Sequence, residues 1–110
     1  MPTMCAVTVR QIKPGTYDEF RKAWEPDPWL PKLTRALVFR NDDNPDMVLS
    51  VGFFDASVDE IDALRDDPAV LTEEERRLRR IAEFEDRVLL NGIFELTDEV
   101  LPPGQRGESA

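Results

Sequence analysis

Apolar and polar positions along this chain alternate in two ways, and the two patterns follow one another in a repeating order. The run Cys5–Ile12, with β-branched Val7, Thr8, Val9 and Ile12, reads as a strand and is closed by Pro14-Gly15. Thr16-Tyr17-Asp18-Glu19-Phe20 follows, with Thr16 and Glu19 at the spacing of a capping box. In that motif the hydroxyl accepts from the backbone N–H three residues on, and the carboxylate accepts from the cap's own N–H. Tyr17, Phe20 and Trp24 then form a single apolar stripe at helical spacing, and Pro26, Pro28 and Pro31 forbid further helix. Leu33–Arg40 is the second strand. The dense turn Asn41-Asp42-Asp43-Asn44-Pro45-Asp46 predicts an antiparallel hairpin to a third strand, Met47–Phe54. Ser57-Val58-Asp59-Glu60-Ile61 repeats the capping-box spacing and opens a second helix that Pro68 interrupts. A third helix is predicted from Thr72, with Glu75 as its returning carboxylate. The fourth strand is Val88–Leu96, broken in pattern by Asn91 and Gly92.

The chain is thus two strand–helix–strand units with an extra helix before the last strand. The order β-α-β-β-α-α-β predicts an α+β fold of the ferredoxin-like split βαβ type. Right-handed crossovers give it a four-stranded antiparallel sheet with helices on one face. Residues 1–100 make one domain. Residues 101–110, Pro- and Gly-containing and without pattern, are expected to be a flexible C-terminal tail. The other face of the sheet poses a problem. In the third strand Met47, Leu49, Val51 and Phe53 oppose Val48, Ser50, Gly52 and Phe54, and in the fourth Leu90, Gly92, Phe94 and Leu96 oppose Leu89, Asn91, Ile93 and Glu95. A sheet with one wet face alternates cleanly. The second phase, punctuated by Ser50, Gly52 and Asn91, is assigned to the outside. Its Val48, Phe54, Leu89 and Ile93 are too apolar for water, so a second copy of the chain is predicted to cover it. The expected assembly is a homodimer through sheet faces, with Ile93 in the interface.

Composition narrows the function classes. The chain of 110 residues has 14 Lys and Arg against 23 Asp and Glu, a formal net charge of −9. That balance argues against nucleic acid and against anionic membrane surfaces, since no cationic surplus exists to displace counterions. The run Arg76-Arg77-Leu78-Arg79-Arg80 is flanked by Glu73-Glu74-Glu75 and by Glu83, Glu85 and Asp86. It reads as a salt-bridged helix face, with Glu73–Arg77, Glu75–Arg79 and Glu83–Arg87 spaced for ion pairs. Cys5 is the one cysteine, and no apolar stretch reaches the length of a membrane span or a signal-peptide core, so a cytoplasmic protein is expected. There is no histidine, which removes Ser-His-Asp, Cys-His and His-containing zinc arrangements. No glycine cluster forms a phosphate-binding loop. No metal and no cofactor are expected.

Candidate chemistry rests on polar residues lodged in apolar phases. Glu85 follows the helical period of Leu78, Ile81 and Ala82. Arg35 lies in phase with Leu33, Leu37 and Phe39. Burying either charge alone is costly, so the two are predicted to approach one interior region. There they form either a structural bridge or a pair that orients a ligand, with Glu85 as proton acceptor if desolvation raises its pKa. Trp24 is either core or the aromatic wall of a cavity. Trp24, Arg35 and Glu85 are the candidate substrate-binding residues. Trp29 is loop anchor, dimer contact or pocket wall. Cys5 reads as a small hydrophobe, and Asn91 as a strand bulge or a group that binds a carbonyl.

Taken together, the two units, Pro14-Gly15 after the first strand, the Asp18-Glu19-Phe20 helix start and a sheet needing a partner resemble the dimeric α+β barrel superfamily. The stretch from Met4 to Val100 resembles its antibiotic-biosynthesis-monooxygenase-like (ABM) domains. That resemblance implies small homodimers that oxygenate electron-rich aromatic or polyketide-like molecules with O₂. They use neither metal nor flavin, because the substrate supplies the electrons, and hold it in a hydrophobic pocket between sheet and helices. It implies no catalytic residue by position. A haem-degrading branch uses a histidine ligand, which this chain lacks. Two function classes stand side by side. One is a cofactor-independent monooxygenase, in which a base removes an acidic substrate proton and O₂ attacks the carbanion in a dry cavity. The other is a non-catalytic small-molecule-binding or assembly module. A cavity of several hundred Å³ between the layers favours ligand chemistry.

Overall fold

The computed structural model describes residues 3–105. Along the chain run β1 (Thr3–Ile12), α1 (Tyr17–Trp24), β2 (Leu33–Arg40), β3 (Met47–Asp55), α2 (Val58–Asp66), α3 (Pro68–Ala82) and β4 (Glu85–Glu95). The strands form one antiparallel sheet in the order β2-β3-β1-β4, the predicted ferredoxin-like arrangement, with the helices on one face. The β2–β3 turn is closed by Asn41, whose side-chain oxygen accepts the backbone N–H groups of Asp43 and Asn44 at 2.9 and 2.8 Å. Of the predicted tail, residues 106–110 lie outside the described residues. Ahead of them, the Gln105 N–H donates to the Pro102 carbonyl at 3.0 Å. No helix among the described residues is long and apolar enough to cross a membrane.

The two similar helix starts behave differently. At Ser57 the capping box is complete: its hydroxyl accepts from the Glu60 N–H at 3.2 Å, and the Glu60 carboxylate accepts from the Ser57 N–H at 3.1 Å. At Thr16 it does not form. The Pro14-Gly15 turn, with Gly15 at φ 74°, brings the Lys13 carbonyl within reach, and the Thr16 hydroxyl donates to it at 2.6 Å instead. The third helix also starts earlier than predicted. Asp67 is its cap, accepting from the Ala69 N–H at 2.9 Å, and Pro68 sits in the first turn, where its missing donor does no harm. Pro68 therefore ends one helix and begins the next. The predicted cap Thr72 lies within the helix and donates to the Pro68 carbonyl at 2.9 Å.

The other end of α3 brings a larger correction. The helix stops at Ala82 and β4 begins at Glu85, so Glu85 is the first residue of a strand and not part of a helical stripe. The ion pairs of α3 are Glu73–Arg76 and Glu74–Arg77, three residues apart rather than the expected four.

The two faces of the sheet are inverted relative to expectation. Val48, Ser50 and Phe54 are buried beneath the helices, Gly52 shares their phase, and Ile93 packs with them. The outward phase carries Val7, Val9, Leu49 and Val51, with half-exposed Phe39 and Phe94 beside them. Ser50, Gly52 and Asn91 made the inner phase look wet. Their polarity and smallness serve an internal cavity, not solvent. The interlayer core falls into two clusters. One joins Ile12, Phe20, Trp24, Val48 and Ile81; the other joins Met4, Phe54, Ala56 and Ile61.

Candidate functional site

Beside the second cluster lies a cavity of about 370 Å³ between the sheet and the helix pair α2–α3. Its floor is Ala6, Thr8 and Arg10 of β1 with Asn91 and Ile93 of β4. Its roof includes Ile61 and Leu64 of α2 and Val70, Leu71, Glu74, Arg77 and Leu78 of α3. A smaller cavity of about 90 Å³ lies beneath Trp24 and Pro26 and is walled by Ala36, Ser50 and Gly52. The two share Ala6, Thr8, Leu30, Phe54, Glu74 and Arg77. Gly52 leaves room there for Leu33: a Cβ would lie 3.1 Å from the end of the Leu33 side chain, which would have to shift by a few tenths of an ångström.

Arg10 is 4% exposed and stands at the cavity's inner end. Its Nε donates to Glu85 Oε2 at 2.9 Å, and its Nη1 lies 3.5 Å from the Ser50 hydroxyl. The guanidinium also lies 5.9 Å from the centre of the Phe20 ring. Burial pushes its pKa down, the hydrogen bond and charge of Glu85 push it back up, Arg77 lowers it and Glu74 raises it. The partner predicted for Glu85 was Arg35, and that pairing is not found. Arg35 is exposed and stands opposite Phe53 on the outer face of the sheet, while Glu85 stands opposite Ile12 on the inner face. A register irregularity between Leu33 and Arg35 separates those two residues to opposite faces. Arg10 carries a signal of its own in the sequence: it alternates with Thr8 and Ile12 in the phase that turned out to face inward.

The other missed residue is Arg77, assigned from the sequence to a salt-bridged helix face as the partner of Glu73. It belongs instead to the sheet-facing side of α3, in step with Val70, Glu74 and Ile81. Its Nη1 donates to the Trp24 carbonyl at 3.1 Å, its Nη2 to Glu74 Oε2 at 3.3 Å, and its Nε is buried without a partner. The guanidinium stacks 5.5 Å from the centre of the Trp24 ring. Trp24 itself is 6% exposed and serves both as core and as a wall of the smaller cavity. On the floor, the Thr8 hydroxyl donates to the Asn91 side-chain oxygen at 3.3 Å. Arg35 and Glu85 are not among the lining residues, Trp29 is exposed in its loop, and Cys5 is a free thiol on the outer side near Phe53 and Leu96. Among the described residues no group of three or more His, Cys, Asp or Glu is placed to hold a metal ion.

No protein-family model matches the sequence, and none of the curated proteins is similar to it. Solved structures are similar in fold. A candidate antibiotic biosynthesis monooxygenase from Chloroflexus aurantiacus superposes with a TM-score of 0.65 at 13% identity, over 89% of this chain and 96% of that one. SnoaB, a cofactor-independent oxygenase from Streptomyces nogalater, superposes with a TM-score of 0.62 at 12% identity, over 94% and 99%. A dimeric protein of ferredoxin-like fold from Bacteroides fragilis superposes at 0.55 and 12% identity, over 86% and 96%. The chain therefore has an antibiotic-biosynthesis-monooxygenase-like fold, as the resemblance in sequence implied.

Proposed function

We propose that the chain binds a hydrophobic, aromatic small molecule in the cavity beneath α2 and α3 and oxygenates it with O₂, using neither metal nor flavin. The cavity carries this reading: a volume of about 370 Å³ whose walls mix apolar side chains, among them Leu30, Phe54, Ile61 and Ile93, with polar groups that include Thr8, Asn91 and Arg77. A substrate methylene flanked by aryl or carbonyl groups loses a proton to water at the cavity mouth. Hydrogen bonds from Asn91 and Arg77 stabilise the resulting enolate oxygen in a low-dielectric site. The carbanion then reduces O₂. One oxygen atom becomes the new carbonyl and the other leaves as water, so the electrons lost at carbon match those gained by O₂. Trp24 walls the adjoining smaller cavity and holds the Arg77 guanidinium, Glu85 holds Arg10, and Arg35 has no part in this scheme.

The same reading makes the protein a homodimer joined through the outer sheet face, where Val7, Val9, Leu49 and Val51 require cover. The likeness to a dimeric protein of the same fold supports it. Sedimentation equilibrium at micromolar concentration is expected to give a dimer, and Val51→Lys to dissociate it; a monomeric wild-type chain would end the claim. The lone thiol Cys5 suits a reducing compartment such as the cytoplasm. One observation favours a binding module without catalysis: Glu74, the one carboxylate lining the cavity among the described residues, is held by Arg77, and Glu85 is held by Arg10. Incubation with anthrone, whose methylene lies between two aryl rings, separates the readings. The oxygenase consumes O₂ and yields anthraquinone faster than buffer does, with EDTA present or absent. A binding module leaves the rate at that of the blank.

A further inference from the structure

The sheet-facing side of α3 is apolar at both ends, at Val70 and Ile81, and charged in the middle. Glu74 and Arg77 sit in the wall that the two cavities share. A fold in need only of a roof would place apolar side chains there, because buried charge is hard to stabilise. The pair is also loosely made. Its contact of 3.3 Å is long for a charge-assisted hydrogen bond, and Arg77 Nε, cut off from water, has no partner at all. The Glu74 side chain is still about a third exposed, so it can turn to solvent at small cost, whereas the Arg77 side chain is largely buried. The Arg77 guanidinium is held in place independently of Glu74, by the Trp24 carbonyl and the Trp24 ring. The lining of the larger cavity carries three arginines, Arg10, Arg65 and Arg77, against the one carboxylate of Glu74, in a chain whose net charge is −9. Glu85 offsets Arg10 from behind the wall. Arg65 stands at the rim of α2.

We propose that Arg77 is the anchor for an oxyanion on the aromatic ligand, an enolate, phenolate or carboxylate. Glu74 is the internal stand-in that this group displaces. The inference rests on the reading of the cavity as a ligand site and adds the charge of the ligand to it. Glu74 engages the guanidinium through a single oxygen, so an enolate or phenolate oxygen can take the same donor and a carboxylate can take two. Trp24 is then a positioning residue, which holds the guanidinium by its carbonyl and ring face.

The test uses two fluorescent probes with the same aromatic skeleton, 8-anilinonaphthalene-1-sulfonate and the uncharged N-phenyl-1-naphthylamine. Their binding is followed by titration and by the methyl resonances of the four isoleucines. Ile61 and Ile93 line the cavity, while Ile12 and Ile81 lie in the sealed cluster. Both probes are expected to shift Ile61 and Ile93, with the anionic one bound about tenfold more tightly to the wild-type chain. Glu74→Gln should tighten the anionic probe several-fold and leave the neutral one unchanged. Arg77→Met should abolish the preference. If Arg77→Met does not fold, the comparison of Glu74→Gln with wild type decides alone. Equal affinity for both probes, or no gain in Glu74→Gln, overturns the anchor and leaves the cavity reading standing. Probes that shift neither Ile61 nor Ile93 overturn both.

Discussion

The space between sheet and helices has two halves built on the same plan and finished differently. Under α1 and the C-terminal part of α3, Ile12, Phe20 and Ile81 have no exposed surface. On the side of α2, Leu71 and Leu78 of α3 remain 46% and 48% exposed beside an open cavity. Side-chain size accounts for the difference. Helix α1 aims Phe20 and Trp24 at Ile12 and Val48, and four large side chains close the gap. Helix α2 buries only Ile61, spends its other positions largely on exposed acidic residues, and leans mainly on α3. The floor beneath it is Ala6 and Thr8, too short to reach the roof. One half of this fold thus supplies stability, and the other is free to hold a ligand.

If that division is right, truncation should be costly on one side only. Phe20→Ala should destabilise the chain by about 3–5 kcal/mol in urea unfolding, and Leu78→Ala by less than about 1 kcal/mol. Similar losses at the two positions would break the comparison. Arg10 and Glu85 mark the boundary between the halves. Arg10→Met alone should cost about 3 kcal/mol, the low end for a buried pair because Glu85 is partly exposed, by stranding the carboxylate. The double variant Arg10→Met with Glu85→Leu should recover most of the loss, and a double-mutant cycle by urea unfolding measures it. Additive losses would show that the two do not act as a pair.

Overpacking sharpens the contrast from the opposite direction. Ala23→Leu, against the sealed cluster, should cost about 1–3 kcal/mol. Ala6→Leu should fill the cavity floor with a stability change within about 1 kcal/mol and suppress probe binding. The smallest effect concerns pH. The Ser57 backbone N–H, then the hydrogen bond and charge of Lys32, hold the Glu60 carboxylate below its ordinary value. Its contribution is therefore complete above the unfolded-state pKa and is lost as pH falls through the lower folded value. Glu60→Gln should flatten the acid limb of the stability profile slightly and leave the cavity half otherwise unchanged. NMR titration of the Glu60 side chain in the wild-type chain gives the folded value directly, and an unshifted carboxylate would contradict this.

What the sequence by itself determined is what short-range periodicity carries: the element order, the Asn41–Asp46 hairpin, the Ser57 capping box and the Phe20–Trp24 stripe. Each depends on residues within a few positions of one another, and two strand–helix–strand units then admit few topologies. The tertiary structure decided which phase of the sheet faces inward. Both phases are apolar, so alternation could not choose between them, and the polar residues of the inner one imitated a solvent face. It also decided the partners of the charges. Arg10 and Glu85 are 75 positions apart and meet because β1 pairs with β4 through irregularities after Val9 and Gln11, a register that neither strand encodes alone. Arg77 was hidden in a run of four arginines, and only the docking of α3 across the sheet turned that one beneath Trp24.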